Sequence, residues 1–199
     1  VSKILGLDPK KLREYDNITK MSKIARRYFV MNAFDGALTI FGVIIGAYLA
    51  DLHEPRLLLV VGASTAVAVG ISGLWGAFLT ESAEREMELR ELEKKMMKKL
   101  RSTEIAEANR AATIIAALVD GLSPSLAAFF ILIPFAAAGM GFVSMADAYA
   151  DAIILSFVSF FMLGVFLGKI SKGNMLSYGL KMLFAGLVCA VVSYFFGVA

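Results

Sequence analysis

Five long apolar runs, at about residues 30–50, 57–80, 111–139, 149–168 and 177–198, are separated by short polar stretches and by one longer charged segment. A helix needs roughly 20 residues to cross about 30 Å of hydrocarbon, and each run supplies that length. The pattern therefore predicts an all-α, polytopic membrane protein with five transmembrane helices and a short cytoplasmic helical insert. Residues 1–27 read as an amphipathic segment, with Ile4, Leu5, Leu7, Leu12, Ile18, Met21 and Ile24 interleaved with Lys and Arg. Such a helix is expected to lie on the inner membrane surface. The organisation is then residues 1–27 as N-terminal segment, 28–80 as helices one and two, 81–110 as a Glu/Met-rich insert, and 111–199 as helices three to five.

Composition agrees with this layout. The chain has 199 residues, of which 58% are apolar, and a mean hydropathy of +0.72, outside the range of soluble domains. The charged residues before the first run include no small-residue cleavage site, so that run reads as a span and not as a signal peptide. Of the 20 basic residues, only Arg56 falls between the first and second runs, and none lies in 140–148. The positive-inside rule places the basic side in the cytoplasm, with the N-terminus inside and the C-terminus outside. Compact loops and the lack of a targeting segment point to a prokaryotic plasma membrane. The pI near 9.0 fits attraction to anionic lipid, and no nucleic-acid partner is expected. Cys189 is the one cysteine, which excludes a disulfide framework. His53 is the one histidine, which gives little support to a zinc-type site.

Two carboxylates stand inside the apolar runs. Asp35 belongs to Phe34-Asp35-Gly36-Ala37, and Asp120 to Val119-Asp120-Gly121-Leu122. A carboxylate at the centre of a membrane helix costs roughly 2.5 to 3.5 kcal/mol on insertion scales. Residues that carry such a cost mark routes for ions, protons or substrates. The two helices run parallel, and each Asp-Gly lies in the inner half, followed by Thr39 or Ser123. Two carboxylates at one level can converge on a cation or share a proton, and the match suggests a weak internal repeat. Pro124 and Pro134 each remove a backbone hydrogen bond, so a bend just after Asp120 is expected. Gly42 and Gly46 have the spacing that permits close helix contact, within one chain or across a dimer.

The insert 81–110 has no Gly or Pro and reads as helix through most of its length. Glu84, Glu88 and Glu91 share one face, with Met96, Met97, Glu104 and Glu107 following. Clustered carboxylates suit hard or borderline divalent cations, and methionine adds softer ligation. The plainer reading is a solvated charged helix, in which Glu86/Arg90 and Glu91/Lys95 are ordinary i,i+4 pairs. No zinc-protease helix, nucleophile elbow or phosphate loop is present. Gly follows Asp in both pairs, unlike the intramembrane aspartyl proteases. Neither pair has the Ala-Arg of phosphatidyl-alcohol transferases. An enzyme is not expected.

Several segments resemble the vacuolar iron transporter family. The first run, Asp35-Gly36-Ala37-Leu38-Thr39-Ile40-Phe41-Gly42-Val43-Ile44-Ile45-Gly46, is similar to that family's opening helix. Ser72-Gly73-Leu74-Trp75-Gly76-Ala77-Phe78-Leu79-Thr80-Glu81 resembles the end of its second helix. Leu163-Gly164-Val165-Phe166-Leu167-Gly168-Lys169, Gly179-Leu180-Lys181-Met182-Leu183 and Val192-Ser193-Tyr194-Phe195-Phe196-Gly197 follow its last two. The resemblance implies a homodimer that exports Fe2+ or Mn2+ from the cytoplasm in exchange for protons. In that picture metal is cargo, and no resident cofactor is implied. It assigns Asp35 as an acidic ligand and proton acceptor; Asp120 has no equally clear counterpart. Two positions depart from the family, because Gly73 stands where Met is common and Ala77 where Glu is. The family's metal-binding domain has three helices between spans two and three, so Glu84, Glu88, Glu91, Met96, Met97, Glu104 and Glu107 would make a reduced version. A non-transporting metal sensor or scaffold built on the acidic helix is the alternative function.

Overall fold

The computed structural model describes residues 9–198, and every regular element among them is a helix. In chain order these are α1 (Pro9–Thr19), α2 (Met21–Leu49), α3 (Pro55–Met96), α4 (Glu104–Gly139), α5 (Met145–Ile170) and α6 (Met175–Val198). The last five are long and apolar enough to cross a membrane, as the five runs predict. Ile4, Leu5 and Leu7 of the amphipathic segment lie outside the described residues.

The charged insert is built differently from the expected near-continuous helix. At 1.5 Å per residue the 42 residues of α3 extend roughly 63 Å, about twice the hydrocarbon thickness. Its polar half, from Glu81 onward, simply prolongs the second apolar helix. A turn follows at Met97, and α4 then carries Glu104 and Glu107 straight into the third apolar run. Met97 has φ +50°, a left-handed conformation at the position after a helix end where glycine is usual. Lys98 N–H donates to the Glu93 carbonyl at 3.3 Å, and Leu100 N–H donates to the Glu93 carboxylate at 2.7 Å. Glu93 thus closes the end of α3 from both main chain and side chain. No Gly or Pro announces this stop.

The chain forms two compact units, residues up to Phe29 with Ile71–Leu122, and Val30–Gly70 with Ser123–Ala199. Helices α2, α3 and α4 each contribute to both. The second unit has a core of Ile40, Phe41, Ile44, Leu58, Ile131, Phe135 and Phe160. Phe41 and Phe160 meet edge to face at 5.6 Å between ring centres, a favoured aromatic geometry. Along α5 the buried positions Ala148, Ala152, Ser156, Phe160, Gly164 and Gly168 recur every fourth residue, forming one ridge. A Cβ at Gly164 would come within 2.6 Å of the Gly179 Cα of α6, so both glycines serve close helix contact.

In the first unit α1 packs on α4. Tyr15 and Met21 are buried with Ala108, Ala111 and Ala112, whose small side chains let the two backbones approach. The Tyr15 hydroxyl donates to Glu107 Oε2 at 2.8 Å. Asp16 joins α1 to α2 by accepting both the main-chain N–H and the hydroxyl of Ser22 at 2.7 Å. Helix α2 begins at Met21, before the apolar run starts, because nothing after Lys20 (φ 52°) interrupts it.

Candidate functional site

Asp35 belongs to the second unit. It is exposed, while Gly36 and Ala37 beside it are buried. Gly36 explains the second half of this Asp-Gly pair: a Cβ there would run into the backbone of Pro124 on α4. Glycine permits the contact, and the next residue back turns its carboxylate away from the packed face. Met31, Asp35, Gly42 and Gly46 lie within one stripe of α2, by the helical period of 3.6 residues. Met31 is exposed, a Cβ at Gly46 would meet nothing within 4 Å, and one at Gly42 only the Cys189 Sγ at 3.8 Å. The GxxxG stripe is therefore unused by packing inside its own unit, and Asp35 sits on it.

Asp120 belongs to the first unit and is partly buried. A Cβ added to Gly73 of α3 would lie 2.9 Å from the Asp120 carbonyl oxygen and 3.2 Å from its Oδ2. Glycine at position 73, where the resemblance leads one to expect methionine, thus leaves room for Asp120. Gly73 is accordingly more than a missing ligand.

The same unit holds a buried polar group that sequence reasoning missed. Tyr28 of α2 donates its hydroxyl to Glu81 Oε1 at 2.9 Å, and Arg85 Nε donates to Glu81 Oε2 at 3.1 Å. A second guanidinium nitrogen of Arg85 is 3.0 Å from the same oxygen, and both side chains of the pair are about nine-tenths buried. Asp120 is near enough to act on Tyr28 electrostatically. Glu81 takes one hydrogen bond from each of Tyr28 and Arg85, and Glu81 and Arg85 are both buried. Their i,i+4 spacing, at the point where the apolar run ends, was the available signal.

The remaining expected ligands are not brought together within the chain. Glu84, Glu88 and Glu91 are exposed on α3, Met96 ends it, and Met97 is 96% exposed. Glu104 opens α4 and is exposed, and Glu107 is engaged by Tyr15. Among the described residues no three or more His, Cys, Asp or Glu side chains form a group able to hold a metal ion. The ordinary pairs are present: Arg90 bonds Glu86 at 2.6 Å, and Lys95 lies 4.0 Å from Glu91. Any metal held by these glutamates needs a further contributor or a rearrangement.

The sequence model of the VIT family matches residues 26–107 and 94–198, which together take in all but the first five residues of α2 and the whole of the other four long helices. The chain belongs to the VIT family. A curated relative, an uncharacterized protein of Methanocaldococcus jannaschii, is 31% identical over 189 residues, covering 94% of this chain and 95% of the relative. No solved structure matches the chain. VIT-family membership, with the five apolar helices, makes this an integral membrane protein and implies metal-ion transport across the bilayer. The two matched stretches overlap at 94–107, the turn between α3 and α4.

Proposed function

We propose that this VIT-family protein is a divalent-metal/proton antiporter that exports Fe2+ or Mn2+ from the cytoplasm as a homodimer. The observation that carries the reading is the placement of Asp35. An exposed carboxylate on an apolar helix is too costly to leave against lipid, and it shares its stripe with Gly42 and Gly46, whose packing is unused. A second copy of the chain laid on that stripe would cover Asp35 and bring two such carboxylates near the two-fold axis. Carboxylate oxygens from both copies would suit a divalent ion such as Mn2+ or Fe2+, whose charge they would balance. Protonation from the outer side would then release the metal.

Asp120 is the second intramembrane carboxylate of the proposal. With Gly73 in place of methionine, the route offers oxygen where the family offers a thioether. Oxygen ligands favour harder cations such as Mn2+ over softer ones. The glutamates of the α3–α4 extension, Glu84, Glu88, Glu91, Glu104 and Glu107, with Met96 and Met97, would collect ions from the cytoplasm across the dimer. The basic ends of the helices orient that extension inward, in a plasma membrane with the C-terminus outside.

The test is flux in proteoliposomes loaded at one pH and diluted into another, with Fe2+, Mn2+, Co2+ and Zn2+ supplied in turn. The proposal expects Mn2+ or Fe2+ to move faster with an opposing proton gradient than without one. Flux indifferent to the gradient would remove the antiport step. A second reading, a metal sensor or scaffold, is favoured by Ala77, which leaves out a family carboxylate. It predicts metal binding at the polar end with no flux at all.

A further inference from the structure

We infer that the cleft between the polar half of α3 and the start of α4 binds a phosphate group, carried by an anionic lipid headgroup or by a free phosphate. The cleft encloses about 490 Å³, within the range of small-ligand sites. Arg85, Arg101 and Arg110 line it, against a single lining carboxylate, Glu86. Glu86 is already held by Arg90 at 2.6 Å and approached by Arg101 at 3.5 Å. Arg85 is matched by Glu81. Arg110 enters no ion pair among the described residues. The cleft therefore keeps a positive excess with guanidinium groups on both helices.

Guanidinium forks match phosphate oxygens geometrically and hold them bidentately. Ser82 of α3 and Asn109 of α4 add neutral donors to the lining. Phe78, Leu89, Ala106 and Ile114 add apolar lining. Phe78 lies in the apolar half of α3 and Ile114 in that of α4, so these two mark the end of the cleft nearer the membrane-spanning part of each helix. A phosphate ester with acyl chains fits both the arginines and the apolar lining. A free phosphate fits the arginines alone.

The test uses the full chain in mild detergent and measures binding of dioctanoyl phosphatidylglycerol, dioctanoyl phosphatidylcholine and inorganic phosphate. Arg101→Gln and Arg110→Gln are made singly and together; both side chains are exposed, and size exclusion with circular dichroism confirms the fold. Lys169→Gln controls for general loss of charge. The expected result is preference for phosphatidylglycerol over phosphatidylcholine. The double variant should lose roughly tenfold or more of that binding, the cost of a charge-assisted hydrogen bond, and Lys169→Gln should lose none. Inorganic phosphate that displaces the lipid completely, with the same arginine dependence, supports the free anion as ligand. Displacement that stays weak supports the headgroup. Equal binding of the two lipids, no binding by either anion, or a double variant that binds like the parent overturns the site.

Discussion

The Asp120 main chain and Gly73 are in direct contact. A side chain at Gly73 would first meet the Asp120 carbonyl oxygen, at 2.9 Å, and then its carboxylate, at 3.2 Å. Gly73, where the resemblance leads one to expect methionine, is thus tied to the intramembrane Asp120. Glycine here is a packing requirement of this chain, and a methionine in its place should do harm.

Gly73→Ala is expected to destabilise by about 1–3 kcal/mol, as overpacking does, and Gly73→Met by more. Because the nearest atom is backbone, adding Asp120→Ala should not rescue Gly73→Ala. Thermal unfolding in detergent reads the difference. Full rescue by Asp120→Ala would show that the carboxylate, and not the main chain, sets the contact.

Gly36 and Gly46 should separate cleanly. Gly36→Ala drives a methyl into the Pro124 backbone, whereas Gly46→Ala enters open space. The first is expected to lower stability by about 1–3 kcal/mol or more, the second to leave the monomer's fold intact while weakening self-association. Unfolding curves and cross-linking of the two variants measure these effects. Equal losses of fold stability would place Gly46 in a packed interface of the single chain.

Removing one partner of the Glu81–Arg85 pair leaves the other charge buried. Glu81→Gln or Arg85→Met should each cost about 3–5 kcal/mol, and the double change much less than their sum. Tyr28→Phe should cost only about 1 kcal/mol, the net value of one hydrogen bond. Additive losses in the double variant would contradict a coupled pair.

Glu107, which accepts the Tyr15 hydroxyl, and then burial raise the Tyr15 phenol above its ordinary range. A raised folded-state value stabilises fully below the unfolded value near 10 and is lost as pH rises through the folded one. The stability gap between the parent and Tyr15→Phe is therefore expected to hold constant from neutral pH to about pH 9 and to shrink above about pH 10. A gap that grows with rising pH has the wrong sign for this contact.

The five membrane-crossing helices were legible because bilayer thickness imposes a length that no packing detail alters. Asp35 and Asp120 stood out for the same reason, since charge in an apolar run is conspicuous without coordinates. Other features depend on what lies opposite. Gly36 needed Pro124 from another helix, and Gly73 needed Asp120. Glu81 is hydrogen-bonded by Tyr28, the first residue of the segment read as helices one and two, and that pairing across helices has no local signal. The break at Met97 was hidden because Glu93 supplies the cap that a glycine would normally announce. The glutamates were legible as a cluster in sequence, yet one helix face spreads them over exposed positions and leaves Glu107 with Tyr15.

The most direct measurement is Mn2+ and Fe2+ flux through proteoliposomes containing the parent or Asp35→Asn, at matched reconstitution and with dimer content checked by cross-linking. Metal transport through Asp35 predicts that the asparagine variant assembles as the parent does and carries no metal above empty liposomes. Undiminished flux from a correctly assembled Asp35→Asn dimer would contradict the assignment.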